Sequence, residues 1–112
     1  MYQILLITVD PRLHPPCQQL ATRLGMELQI VETIGEGMAI SADLLLWHTT
    51  LSYDEDVYQY LVNHYPRVVI LRDRSGERLG PLKPFRPFII LPFDIEDAYL
   101  IIRNSFDWPK RE

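Results

Sequence analysis

His48, Asp10 and Arg72 are the residues of this chain with the most chemistry to offer. Imidazole is a competent nucleophile, so His48 could accept a phosphoryl group. No base or anion cradle stands near it in sequence, and the plainer reading is a strand-end histidine bonded to a neighbour such as Thr50 or Asp10. His48 and Asp10 together supply two metal ligands, too few for a dedicated site, and no metal or other cofactor is expected. Arg72 carries a planar fork suited to phosphate or carboxylate, so Arg72 with His48 could hold an anion. The preferred role for Arg72 is structural, pairing with Asp10 or Asp94. As a general acid or base His48 has no nameable second group or substrate cradle, and the chain is read as non-enzymatic. Cys17 falls on an apolar helix face and reads as an inert core residue.

Other phosphate chemistry lacks its motifs. No Walker A loop, no G-x-G-x-x-G and no Ser/Thr-Gly loop after the first strand is present. Gly35-Glu36-Gly37 is too short and follows the second strand. The single cysteine excludes an intramolecular disulfide and a multi-cysteine zinc site, and fits a reducing cytoplasm. A net charge of −4 argues against a dedicated nucleic-acid-binding domain. Apolar runs are short and broken, so no membrane span is expected, and the N-terminus lacks signal-peptide features. The stretch from Arg67 to Arg86 holds Arg67, Arg72, Arg74, Arg78, Lys83 and Arg86 against Asp73 and Glu77. That local positive excess reads as a solvated connection, and Arg74, Arg78, Lys83 and Arg86 form a candidate interaction surface.

The elements that must position these residues follow from hydrophobic pattern. The 112 residues are 47% hydrophobic and 23% charged, enough for one globular domain over residues 1–108, with 109–112 as a tail or linker start. Residues 2–9 form an apolar run that reads as a strand buried on both faces. Pro15 and Pro16 suit a helix first turn; Cys17, Leu20, Ala21 and Leu24 make its inner face, and Gly25 ends it. Residues 27–33 alternate as a strand nearer the edge. Gly35–Gly37 reads as a turn before at most a short helix around 38–41. Residues 43–48 form a central strand, with Trp47 in the core. Ser52 to Glu55 reads as a capping box, opening a helix that buries Val57, Leu61 and Tyr65. Residues 68–71 and 88–91 are further strands. Between them, residues 72–87 read as a loop or a small hairpin turning at Ser75-Gly76. Asp94 caps a last helix burying Ile95, Ala98, Ile102 and Phe106. Trp108 ends it, partly exposed, either sealing that helix or meeting a following segment.

Strands alternating with helices imply an α/β doubly wound parallel five-stranded sheet of flavodoxin-like order 2-1-3-4-5, with its working site at the strands' carboxyl ends. The sequence then resembles the receiver domains of two-component response regulators across nearly its whole length. Gly25 to Thr33 resembles the family's glycine-led second strand. Asp43-Leu44-Leu45-Leu46 resembles the run leading to its phosphorylated aspartate, and Leu91-Pro92-Phe93-Asp94 its K-P-F turn.

The departures from that resemblance fall on the phosphorylation pocket. The acidic pair that holds Mg²⁺ in the family falls on Thr8 and Val9, with Asp10 in third place. The phosphoacceptor position falls on His48, the switch Ser/Thr on Arg72 and the pocket lysine on Leu91. Pro92 survives, with a cis bond expected as in the family. The fourth helix of receivers is replaced by the 72–87 loop. The resemblance with these losses implies a pseudo-receiver: a bacterial, cytoplasmic signalling or transcription-control module working by protein–protein contact. Its partner would be another protein or its own C-terminal output domain, with homodimerisation open. The alternative is a small-molecule or anion sensor using the old pocket.

Overall fold

The computed structural model describes residues 2–49, 54–73 and 87–108. Five strands form one parallel sheet: β1 (Gln3–Ile7), β2 (Glu27–Val31), β3 (Leu44–Thr49), β4 (Val68–Asp73) and β5 (Phe88–Leu91). Their order is β2-β1-β3-β4-β5, as the alternation of elements predicts. Four α-helices are present among the described residues: α1 (His14–Leu24), α2 (Ile34–Gly37), α3 (Glu55–His64) and α4 (Ile95–Phe106). A 3-10 turn, Pro11–Leu13, leads into α1. None of the described helices is long and apolar enough to cross a membrane.

The sheet pleat sorts side chains into two cores, because successive residues of a strand face opposite sides. Ile4, Leu6, Leu44, Leu46, Val69, Leu71, Ile89 and Leu91 pack with α1 and α4. Leu5, Ile7, Leu45, Trp47, Val68 and Ile70 pack under α2 and α3. β3 is buried along its whole length, which explains its lack of polar alternation. Each fully buried Leu or Ile contributes about 1.5–3 kcal/mol of transfer free energy.

Helix ends follow local chemistry. Gly25 closes α1 at φ 72°, a left-handed conformation that glycine adopts without steric cost. Asp94 caps α4 by accepting from the amides of Glu96 and Asp97. Two expectations about helices need correction. α2 runs through Gly35–Gly37, where a turn was expected, and the 38–41 stretch is not helical. Thr33 is the reason: its hydroxyl oxygen accepts from the Glu36 amide at 3.1 Å, and the hydroxyl donates to the Glu36 carboxylate. α3 is capped by Asp54, which accepts from Asp56 and Val57 amides, so the helix starts two residues later than a Ser52 cap would place it. Ser52 lies outside the described residues, as do the hairpin at Ser75-Gly76, the loop offered in place of a fourth helix, and Arg74, Arg78, Lys83 and Arg86.

Trp108 is buried rather than partly exposed. It meets the ring of Tyr2 edge-on at 5.1 Å and lies under the Arg67 guanidinium at 4.1 Å. That sandwich seals the amino-end edge of the sheet, and Arg67 also donates to the Asp43 carbonyl.

Candidate site at the carboxyl ends of the strands

β1, β3, β4 and β5 end side by side, and their last inward-facing residues meet beneath the turn that follows β1. Thr8 and His48 are buried there. The Thr8 hydroxyl lies 2.8 Å from His48 Nδ1, and its oxygen also accepts from the Asp10 amide at 3.0 Å. On the other side of the ring, His48 Nε2 faces both carboxylate oxygens of Asp73, each at 3.4 Å. A carboxylate only accepts, so hydrogen-bond logic puts the imidazole proton on Nε2 and leaves Nδ1 to accept from the Thr8 hydroxyl. Among the described residues the partners of His48 are therefore Thr8 and Asp73; Asp10, which the sequence also suggested, bonds Arg12 instead, and Thr50 lies outside the described residues. Its side chain is 1% exposed, against 41% for Asp73.

Asp10 has its own task. Its carboxylate caps the 3-10 turn by accepting from the Arg12 amide at 2.9 Å. It also takes the Arg12 guanidinium in a bidentate pair, Nη2 to Oδ2 at 2.8 Å and Nε to Oδ1 at 3.0 Å. The Arg12 side-chain hydrogen bonds, then its backbone N–H, hold the Asp10 carboxyl at about 2, well below the usual carboxylate range. Arg12 is correspondingly held charged by Asp10. Sequence reasoning missed Arg12; the signal was the short Asp10-Pro11-Arg12 turn, in which an aspartate can cap and pair two residues on.

Arg72 does not join this group. It follows Ile70 on the α2–α3 side of the pleat, whereas Thr8, His48, Asp73 and Leu91 continue the α1–α4 side. An anion site shared by His48 and Arg72 would need both on one face. Val9 points to solvent, 64% exposed. Leu91 is buried, and the Leu91–Pro92 bond is cis. Burial pushes the Cys17 thiol up to about 12, consistent with an inert core position.

A magnesium ion does not fit these residues. Mg²⁺ asks for several hard oxygen ligands in octahedral geometry. Here Thr8 is bonded to His48, Val9 is apolar and Asp10 is taken by Arg12. Among the described residues no three His, Cys, Asp or Glu side chains come together as a metal site. What the strand ends do form is a cleft of about 540 Å³, lined by Asp10, Arg12, Leu13, Asp73, Leu91 and Phe93 with two prolines.

No protein-family model matches the chain, and no curated protein matches it in sequence. Solved structures do match in fold. The receiver domain of PhyR from Erythrobacter litoralis superposes with a TM-score of 0.73 at 16% identity, over 99% of this chain and 94% of that one. A response regulator receiver domain protein from Clostridium thermocellum gives 0.68 at 16% identity, over 96% and 95%. Full-length FixJ from B. japonicum gives 0.62 at 13% identity, over 94% of this chain and 59% of that one. Sheet order, helix placement and these likenesses agree: the chain has the fold of the response-regulator receiver domains.

Proposed function

We propose that this chain is a non-enzymatic pseudo-receiver, a signalling module that acts by protein contact without aspartyl phosphorylation. One observation carries the reading. The position that answers to the phosphoacceptor is His48, buried, with both ring nitrogens engaged by Thr8 and Asp73. Among the described residues, the one arginine lining the cleft is paired with Asp10, so it is not preorganised to stabilise charge on a transferring phosphoryl group. The test is incubation with acetyl phosphate and Mg²⁺, read by intact mass. The expected result is no phosphoryl adduct; a stoichiometric adduct overturns the reading, and its acid or base lability separates histidine from aspartate.

Protein contact is supported by exposed apolar side chains on β5 and α4, namely Phe88, Ile90 and Leu100. Residues 1–108 are taken as the module and 109–112 as a tail or linker start, with another protein or a bacterial regulator's output domain as the candidate partner. The fold's place within the longer FixJ chain is a precedent for that arrangement. The volume of the cleft, though not its charge, leaves room for a second reading, a small-molecule sensor in the old pocket. A thermal-shift panel of phosphates, nucleotides and carboxylates tests it, because a ligand bound to the native state raises stability.

A further inference from the structure

We propose that the cleft at the strand ends receives the cationic side chain of a partner protein, a lysine or arginine, with Asp73 as its anchor. The proposal rests on the protein-contact reading above and names the chemistry of one contact.

Charge decides the sign of the occupant. Among the described residues, three charged ones line the cleft: Asp10, Arg12 and Asp73. Asp10 and Arg12 cancel, since the carboxylate is held bidentately by the guanidinium and capped by the Arg12 amide. Asp73 remains. Its carboxylate is 41% exposed, and its contact with His48 is long, 3.4 Å to each oxygen. A carboxylate has about four lone-pair sites, so most of its accepting capacity faces the cleft. Among the described residues, an anion placed there would meet a part-exposed carboxylate and a guanidinium already paired with Asp10.

The floor and walls point the same way. The His48 ring is buried behind Asp73 with Nε2 directed at it, and Nδ1 is fixed by Thr8. This backing orients the carboxylate as a second partner orients a ligand group in built sites. Nε2 has no closer hydrogen-bond acceptor among the described residues than those two oxygens. Leu13, Pro16, Leu91, Pro92 and Phe93 supply the remaining wall. Lysine and arginine bury their apolar stems along such a surface and carry the charge at the tip, and an aromatic ring favours a nearby cation. A volume of about 540 Å³ holds one long side chain with water.

The test is an amide NMR titration of the full chain with three probes: N-acetyl-lysine methylamide, N-acetyl-norleucine methylamide and inorganic phosphate. The lysine probe should give saturable shifts at Asp10, Asp73 and Phe93. Norleucine, the same stem without the charge, should bind more weakly by about fivefold, the scale of a solvent-touched ion pair. Asp73→Asn should bring the lysine probe down to the norleucine level. Arg12→Ala frees the Asp10 carboxylate, and should instead tighten lysine binding. Equal shifts from lysine and norleucine overturn the proposal, as does lysine binding unchanged in either variant. Shifts at these residues from phosphate instead would assign the cleft to anions. Loss of the lysine response leaves the mass-spectrometric test of phosphorylation untouched, so the two readings fail separately.

Discussion

Asp10 sets the most direct expectation at the scale of single residues. Its carboxyl lies at about 2 in the fold against an ordinary 3.8, through the hydrogen bonds from Arg12. The folded state thus binds this proton less readily than the unfolded chain. The Asp10 contribution to stability is complete above the ordinary value and drains away as pH falls toward the folded one. Denaturant midpoints of wild type and Asp10→Asn should differ by a constant amount from neutrality to about pH 4, then converge near pH 2. Cys17 offers a second check. A buried thiol held near 12 should resist iodoacetamide at neutral pH and react only as the chain unfolds. His48, Asp10 and the apolar Cys17 face were legible from residue type and position. Asp73 was legible as a strand-end residue, but its pairing with His48 and the role of Arg12 were not, because these come from the strand β4 running on to Asp73 and from a two-residue turn. The sidedness of Arg72 was legible in principle: it is two residues on from Ile70, and a period of two needs no structure to count.

Among the elements, α2 is the shortest helix and the most informative. Two glycines sit in its four residues, yet they differ in what surrounds them. A methyl group on Gly35 meets nothing closer than 3.9 Å, so Gly35→Ala should stabilise the protein by about 0.5–1 kcal/mol through helix propensity. On Gly37 it would press on Leu5 at 3.2 Å, Ile7 at 3.3 Å and the Tyr65 hydroxyl at 3.4 Å. Gly37→Ala should therefore destabilise by about 1 kcal/mol or more, the overpacking cost, and chemical denaturation of the two variants checks the opposite signs. Tyr65 belongs to the same joint, its hydroxyl donating to the Gly37 and Ile40 carbonyls. The long elements α1 and α4 could be read from their apolar period and their caps. α2 could not be read from period, since four residues hold none. Its signal was the capping pair Thr33 and Glu36, which glycine-based turn reasoning masks. The same competition shifted the start of α3, where both Ser52 and Asp54 are good capping residues and the aspartate wins.

For the molecule as a whole, the alternation of strand and helix patterns sufficed to predict the parallel sheet and its order, because right-handed crossovers leave few alternatives. How the ends are fastened was less accessible, since Trp108 could be given two roles and only packing decides between them. Trp108→Ala removes the ring between Tyr2 and Arg67 and should cost about 3 kcal/mol, seen as a lower melting temperature with the strand order intact. α1 and α4 lie together on one face of the sheet, tied by Arg23 to Glu96 at 3.1 Å and by the Arg23 guanidinium over the Tyr99 ring at 3.8 Å. These partners belong to opposite ends of the chain, and that has a consequence during synthesis. When α1 leaves the ribosome, the helix that completes its shelter has not yet been translated. Ile4, Leu6 and Leu20 wait half-roofed until Ala98 and Ile102 emerge. Translation runs at roughly 5–20 residues per second, so the nascent chain carries a wet apolar face for seconds. A chaperone that recognises such surfaces has that interval in which to act, and it closes with the last helix.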